Sequence, residues 1–352
     1  MSRRTVASLL GMALVVVLGL AMAFLPVPYV TWSPGPTVDV LGKSDGKPIV
    51  EVEGHRTYPT KGSLDLVTVL VTNPNARMNL YAVVKGWLEP TTAVLPRDAV
   101  YPPGTTAEDE EAQDSAQMVN SQDTAVAAAL TQMGYDLETF AEVTGVNAAG
   151  PSKGELEARD KFVSIAGRKI DDVRQVFTAM KDVKPGSEVR GVVLRQGKRT
   201  PFSVTTVADP QDAEKALLGI LVGTGYDFPF DVRVNISDNI GGPSAGLVFA
   251  LSVYDTLTPG PLVKGGTVAG TGTIAADGSV GPIGGIQQKI VAARDSGASL
   301  FLVPPDNCPE AIGAPVDTDD IRLVRADTFK SALASLETYA DDPSADLPRC
   351  PS

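Results

Sequence analysis

The longest uninterrupted apolar stretch lies at the start of the chain. From Val6 to Leu25 it reads VASLLGMALVVVLGLAMAFL, with no charged residue. As a helix, about 20 such residues span about 30 Å, the depth of a bilayer core. Arg3 and Arg4 precede it, and positive charge holds that end in the cytoplasm. Two readings export everything that follows: an uncleaved single-pass anchor, or a signal peptide cut after Ala21-Met22-Ala23. The run exceeds the usual signal core, so the anchor is the expectation, with residues 6–25 in lipid and the rest extracytoplasmic. No later stretch is long and apolar enough to span again.

Beyond the anchor the periods change. Residues 29–42, YVTWSPGPTVDVLG, are extended and proline-punctuated, with Tyr29 and Trp32 suited to a membrane interface. Residues 48–72 alternate and are β-branched, which predicts strands. Residues 76–100 mix short apolar runs with prolines. AEDEEAQDSAQM, 107–118, opens a helix with acids in its first turn, where the dipole favours them, and the helix runs on to Gly134. Residues 138–208 read as a compact unit: a strand FAEVTGV, the turn Gly150-Pro151-Ser152, the segment GELEARDKFVSIAGRKI, a helix DDVRQVFTAMKDV, then strands EVRGVVLRQ and RTPFSVTTV. A linker, ADPQDAEKA, leads to residues 217–340. There strands (LGILVG, DVRVNI, GTVAGTGTI, LFLVP, IRLV) alternate with helices at 244–257, 285–296 and 327–339. The layout is α+β or mixed α/β. The segments are 1–28, 29–137, 138–208, 217–340 and a tail, 341–352.

Composition narrows the function. A net charge of −12 over 352 residues argues against nucleic acid as a partner. One histidine and two cysteines make no zinc set, so no metal or other cofactor is expected. Cys308 and Cys350 either pair in an oxidising compartment, tying the tail to the last unit, or are two unrelated thiols.

The stretch IGGPSAGLVFAL, 240–251, carries Gly242-Pro243-Ser244-Ala245-Gly246, a G-x-S-x-G pattern. A serine hydroxyl is a weak nucleophile until a base takes its proton. Ahead of an apolar helix, Ser244 sits where free N–H groups of Gly242, Ser244 and Ala245 can hold an oxyanion. The plain alternative is a serine N-cap in a glycine-rich turn. A hydrolase triad of this pattern needs a histidine after the serine. His55 precedes it, so lysine remains as the base. Lys264 follows a Pro-Gly-Pro turn and reads as exposed; Lys330 reads as a solvated helix position. Lys289 borders an apolar stripe of Ile286, Ile290, Ala293 and Gly297, about 60° from its centre. That setting suits a lowered pKa, but the segment alone favours a lysine whose stem covers apolar surface while its amine reaches water.

DNIGGPSAGLVFAL, 238–251, and GTVAGTGTIAADGSVGPIGGIQQKIVAARDSGASLFLVPP, 266–305, together resemble the proteolytic domain of the Lon protease family. The resemblance implies a serine endopeptidase with a Ser244–Lys289 dyad, Thr271 helping to orient the lysine, and a homo-oligomer. It departs at Gly241, where the family usually has an acidic residue. Residues 138–208 resemble a PDZ domain of exported bacterial proteases, which implies capture of an extended C-terminal peptide by strand addition. There Arg159-Asp160 replaces the usual Gly-Asp, and 133–136 is the expected carboxylate-binding loop. The whole order, with WSPGPTVDVLG, resembles the YlbL-like, PDZ-containing membrane serine proteases. No G-x-x-x-x-G-K-[ST] occurs; at Gly42-Lys43-Ser44 the upstream Gly35 is too far away. Cleavage without ATP is therefore expected. A binding protein with an inert protease scaffold is the competing class, and Ser44–Lys47 as S-x-x-K is discounted because Gly46 makes a turn.

Overall fold

The computed structural model describes residues 3–44, 46–102, 106–147, 149–210, 212–237, 240–317 and 319–351. Asp238 and Asn239, which open the serine segment of the resemblance, lie outside the described residues. Helix α1, Arg3–Phe24, has 22 residues and buries none of them. Among the described residues it is the one helix long and apolar enough to cross a membrane.

Strands β1 (Tyr29–Asp39) and β2 (Ser63–Val71) follow, then helix α2 (Leu80–Leu88), strand β3 (Ala93–Pro96) and the long helix α3 (Ala107–Gln132). Helix α2 falls where the pattern showed only short apolar runs. Nine residues carry too little periodicity to reveal a helix, but the Asn79 side chain caps it, accepting from the Ala82 N–H at 2.8 Å. Next come β4 (Glu138–Val146), β5 (Lys161–Ile165), α4 (Val173–Met180), β6 (Glu188–Arg195), β7 (Lys198–Thr205) and β8 (Ile220–Asp227). The last stretch holds α5 (Gly246–Leu257), β9 (Thr267–Gly270), α6 (Ile286–Asp295), β10 (Leu300–Val303), β11 (Arg322–Arg325) and α7 (Phe329–Asp341).

Two sheets organise these elements. The first runs β11-β10-β9-β2-β1-β3, with β11, β10, β9 and β2 parallel and β1 and β3 antiparallel at one edge. Strands from residues 29–137 thus complete the sheet of the C-terminal segment, and Ser63–Leu66 pair with Thr267–Gly270. The second sheet is antiparallel, β7-β6-β5-β4-β8. Strand β8 was expected beyond the linker, with the C-terminal unit. Its whole length instead pairs with β4, because β-branched composition marks a strand without choosing its partner. The expected linker is itself a β-hairpin, Val207–Asp209 against Asp212–Leu217.

Parallel strands covered on both faces read as continuous apolar runs, and all four residues of β10 are buried. Alternate side chains divide between two layers. Leu64, Leu66, Val268, Leu300 and Leu302 pack with α5, α3 and α7. Val67, Ala269, Phe301 and Val303 pack with Ile286 and Ile290 of α6 and with Cys308.

Cys308 and Cys350 form a disulfide, Cα atoms 5.1 Å apart, which pins the tail. Nearby, the Arg325 N–H donates to the Pro348 carbonyl at 2.9 Å, and Leu347 is buried in the core. Closing a loop of this size contributes about 4 kcal/mol by chain-entropy reasoning. Replacing both cysteines by serine should therefore lower stability by about 2–4 kcal/mol, read as a lower denaturant midpoint. An unchanged midpoint would show that the tail is held by its packing alone.

Candidate active site

The site lies at the carboxyl end of β9, where parallel sheets open a crevice between the layers. Three segments converge there: the loop entering α5 on one face, the first turn of α6 on the other, and Thr271-Gly272 as the chain leaves β9. The Ser244 carbonyl accepts two hydrogen bonds, from Thr271 Oγ1 at 3.0 Å and from the Gly272 N–H at 2.9 Å. Lys289 Nζ donates to Thr271 Oγ1 at 3.2 Å. Thr271 is fully buried and Lys289 is 4% exposed. Burial lowers the Lys289 amine from the usual 10.5 to about 7, and no carboxylate among the described residues holds its charge. The alternative of an amine reaching water does not hold.

Ser244 and Lys289 line one cleft of about 500 Å³. Among the described residues no hydrogen bond joins the two side chains, and none engages the Ser244 hydroxyl. Helix α5 begins at Gly246 with Ala245 as its cap and no side-chain capping bond, so Ser244 is not an N-cap serine. Of the three N–H groups expected for an oxyanion, Gly242 already donates to the Asp114 carbonyl at 3.2 Å. Those of Ser244 and Ala245 have no partner among the described residues. Gly242 sits at φ +83°, a conformation that favours glycine.

The loop is gripped by α3. Ser121 Oγ donates to the Pro243 carbonyl at 3.2 Å. Gly241 leaves space for Asp114: a Cβ there would lie 2.6 Å from the Asp114 Cβ and 3.2 Å from its Oδ2. A carboxylate from another element thus comes to the position where the family resemblance lacks its acid, and burial raises its pKa. Sequence reading missed Asp114, whose acidic neighbours suggested a helix start and nothing more. It also gave Trp32 to the membrane interface. Trp32 instead lines the cleft beside Gly284, its buried indole N–H without a partner among the described residues.

The other candidates fall elsewhere. His55 stacks on Phe230, ring centroids 4.3 Å apart, and is not in the cleft. Lys264 is paired with Asp341 and Lys330 is exposed. Ser44 and Lys47 face each other across a short strand pair. Tyr135, in the expected carboxylate-binding loop, packs against Phe230 and its hydroxyl meets His55.

A hydroxyl, a desolvated amine and two free N–H groups in one cleft are the parts of an acyl-transfer site. Residues 237–336 match the family described as the Lon protease (S16) C-terminal proteolytic domain. Lon protease 2 of Bacillus subtilis (strain 168) is 36% identical over 106 residues, 30% of this chain and 18% of that protein. The Lon protease of Mycolicibacterium smegmatis is 38% identical over 97 residues, 26% of this chain and 12% of that one. The chain thus spans less than a fifth of the length of these relatives. Among solved structures, the PDZ domain of an SdrC-like protein from Listeria innocua is similar over 24% of this chain and 92% of its own, with 23% identity and a TM-score of 0.22. The chain is a mixed α/β protein with a Lon-type proteolytic domain in its C-terminal part.

Holding an amine this dry costs stability. Below pH about 7 the folded state must bury the charge, so the cost is full there. It shrinks as pH rises towards the unfolded value of about 10.4 and is gone above it. Lys289→Met should therefore be more stable than the parent by about 1–3 kcal/mol at neutral pH. The gain should fade as pH approaches 10, which thermal unfolding across pH will test.

Proposed function

We propose that this chain is a membrane-anchored serine endopeptidase that cuts without ATP, with Ser244 as nucleophile and Lys289 as general base. The observation that carries the reading is the buried, desolvated Lys289 amine, tied through Thr271 to the backbone of Ser244. Thr271 spends its proton on the Ser244 carbonyl and accepts one from the amine, so the lysine lone pair is left for the Ser244 hydroxyl. The uncharged amine takes the hydroxyl proton, and the oxygen attacks the peptide carbonyl. The Ser244 and Ala245 N–H groups hold the oxyanion, and the ammonium returns the proton to the leaving amine. Water, activated by the same amine, then releases the acyl group.

The cleft favours an extended substrate. Among the described residues β9 pairs with β2 only over Ser63–Leu66, so beyond that point the β9 side of β2 faces the cleft, whose wall runs from Leu66 to Val71. A peptide can add there as a strand and pass Ser244. No nucleotide-binding loop occurs in the sequence, so substrates must arrive unfolded or flexible. The disulfide supports an exported catalytic domain, since such bonds persist in oxidising compartments. A ring-forming homo-oligomer follows from the Lon resemblance.

The sheet β7-β6-β5-β4-β8 with α4 is read as the PDZ unit. Its groove lies between α4 and the edge of β8 that is unpaired among the described residues, in a cavity of about 630 Å³ lined by Val176, Phe177, Met180, Leu218, Ile220 and Val222. Phe177 is 65% exposed beside it. The groove therefore replaces residues 133–136 as the proposed capture site for a substrate's C-terminal segment.

Full-length enzyme in detergent, given an unfolded protein and no ATP, should cut. Ser244→Ala and Lys289→Ala should each lower kcat/KM by on the order of a thousandfold or more. Because the base must be uncharged, the rate should climb as pH rises through about 7. The dyad is falsified if Lys289→Ala cuts as well as the parent. A separate assay addresses the groove. Phe177→Ser should raise KM by roughly fivefold for substrates with an apolar C-terminus and leave kcat alone. Equal KM values for the two enzymes would remove the capture role.

A further inference from the structure

Helix α2 presents an apolar face that the described residues cover only at one edge, where Tyr29 meets Trp87. Val83 and Gly86 are buried on its inner side. Tyr81 and Leu88, on the far side, are 60% and 79% exposed, and Trp87, about 40° round from Val83, is 59% exposed. At about 100° per residue, Tyr81, Leu88, Val84 and Trp87 form one stripe about 120° wide. The position of this stripe is fixed by α1. The Leu80 N–H donates to the Leu25 carbonyl at 3.2 Å, immediately past the end of α1. Pro26–Val27 pair antiparallel with Met78–Asn79, and Tyr29 meets Trp87 edge to face with centroids 5.9 Å apart. The start of α2 is thus hydrogen-bonded to the residue that follows the apolar helix.

We propose that α2 is a second membrane contact, lying in the interface of the bilayer that α1 crosses, with Tyr81, Trp87 and Leu88 among the headgroups and upper acyl chains. This rests on the reading of α1 as an anchor. A 22-residue helix is about 33 Å long, so its C-terminal end emerges at the membrane surface, and α2 cannot stand further off than its own diameter. Tryptophan and tyrosine are the side chains that settle at that depth. Arg97 pairs with Asp98, and Glu89 opposes Arg77 and Lys85, so little net charge stands beside the face and the contact depends chiefly on apolar insertion rather than on anionic lipid.

The contact has a consequence for substrates. Strand β3 follows α2 and pairs with Tyr29–Trp32 of β1, and Trp32 in turn pairs with Val71 at the end of the cleft wall. Two attachments, α1 and α2, hold this frame to the membrane and limit its tilt. The Leu70–Val71 end of the cleft then opens towards the bilayer. About a dozen residues separate Leu25 from Thr37, the partner of Val67 near the dyad. At about 3.3 Å per residue that is at most roughly 40 Å. The substrate class is therefore a polypeptide tethered in the same membrane, with an extended spacer of no more than about that length before the cleaved bond.

The test uses full-length protein in phosphatidylcholine vesicles containing lipid brominated just below the headgroup. Trp32 and Trp87 are the two tryptophans, so comparison with Trp87→Phe isolates Trp87. Brominated lipid should quench the parent, and most of that quenching should disappear in Trp87→Phe, with or without phosphatidylglycerol. Equal quenching of both overturns the proposal while the chain still sediments with the vesicles, a result that leaves the anchor standing. Shielding of Trp87 from aqueous iodide without lipid quenching also overturns it and assigns the face to a second copy. Trp87→Ser with Leu88→Ser should cut a membrane-tethered substrate about fivefold more slowly and the same peptide free in solution at an unchanged rate. An inactive protein whose Trp87 is quenched by lipid would sink the protease reading and keep this one.

Discussion

The amine of Lys289 is held where water does not reach it, and three segments of the chain meet around it. An ammonium at 4% exposure, with no carboxylate opposite it among the described residues, is unfavourable, so burial lowers the amine to about 7. Among the described residues its one hydrogen-bond partner is the Thr271 hydroxyl. That hydroxyl donates onward to the Ser244 carbonyl, which also takes the Gly272 N–H. Two donors on one carbonyl fix the serine backbone relative to β9. The lysine, the threonine and the serine come from three segments that meet only because β9 ends between the layers.

The same logic explains why the region before the proteolytic match belongs to the site. Strand β2 performs two tasks along its length. Ser63–Leu66 pair with β9 and build the sheet, while the continuation to Val71 lines the cleft. Helix α3 supplies the Asp114 carbonyl to Gly242 and the Ser121 hydroxyl to Pro243. It also packs on the second sheet, where Ala116 lies under Gly145 and Asp123 pairs with Arg159 at 3.1 Å. One helix therefore touches both the loop that carries the serine and the sheet read as the peptide-capture unit. Because β1 starts a few residues after α1, the frame that sets the cleft is continuous with the apolar helix.

Much of this was legible in the chain. The uncharged run from Val6 to Leu25 gave α1, and the long Ala-rich periodicity gave α3. For the serine, the absence of any histidine after it turned attention to lysine, and the border position of Lys289 singled it out from Lys264 and Lys330. These are local properties: hydrophobic period, residue inventory and the angular position of one side chain on one helix. The helix α2 escaped because its nine residues lie below the length at which period is diagnostic.

Partners across space were not legible. Nothing in the strand composition of Ile220–Asp227 said that it would pair with β4, or that residues 63–66 would lie beside β9. The sequence could not place the Asp114 carboxylate over Gly241, which depends on how α3 crosses the serine loop. It could not decide between an amine in water and an amine under Thr271, because desolvation is a property of everything that packs around a group. Nor could it join Cys308 to Cys350, which needs two backbones brought within about 6 Å. The sequence by itself determined which residues can do the chemistry and which segments are helix, strand or anchor, since those follow from side-chain type and near-neighbour spacing. Tertiary structure alone decided which groups lose water and which meet, since burial and contact are set by chain segments far apart in sequence.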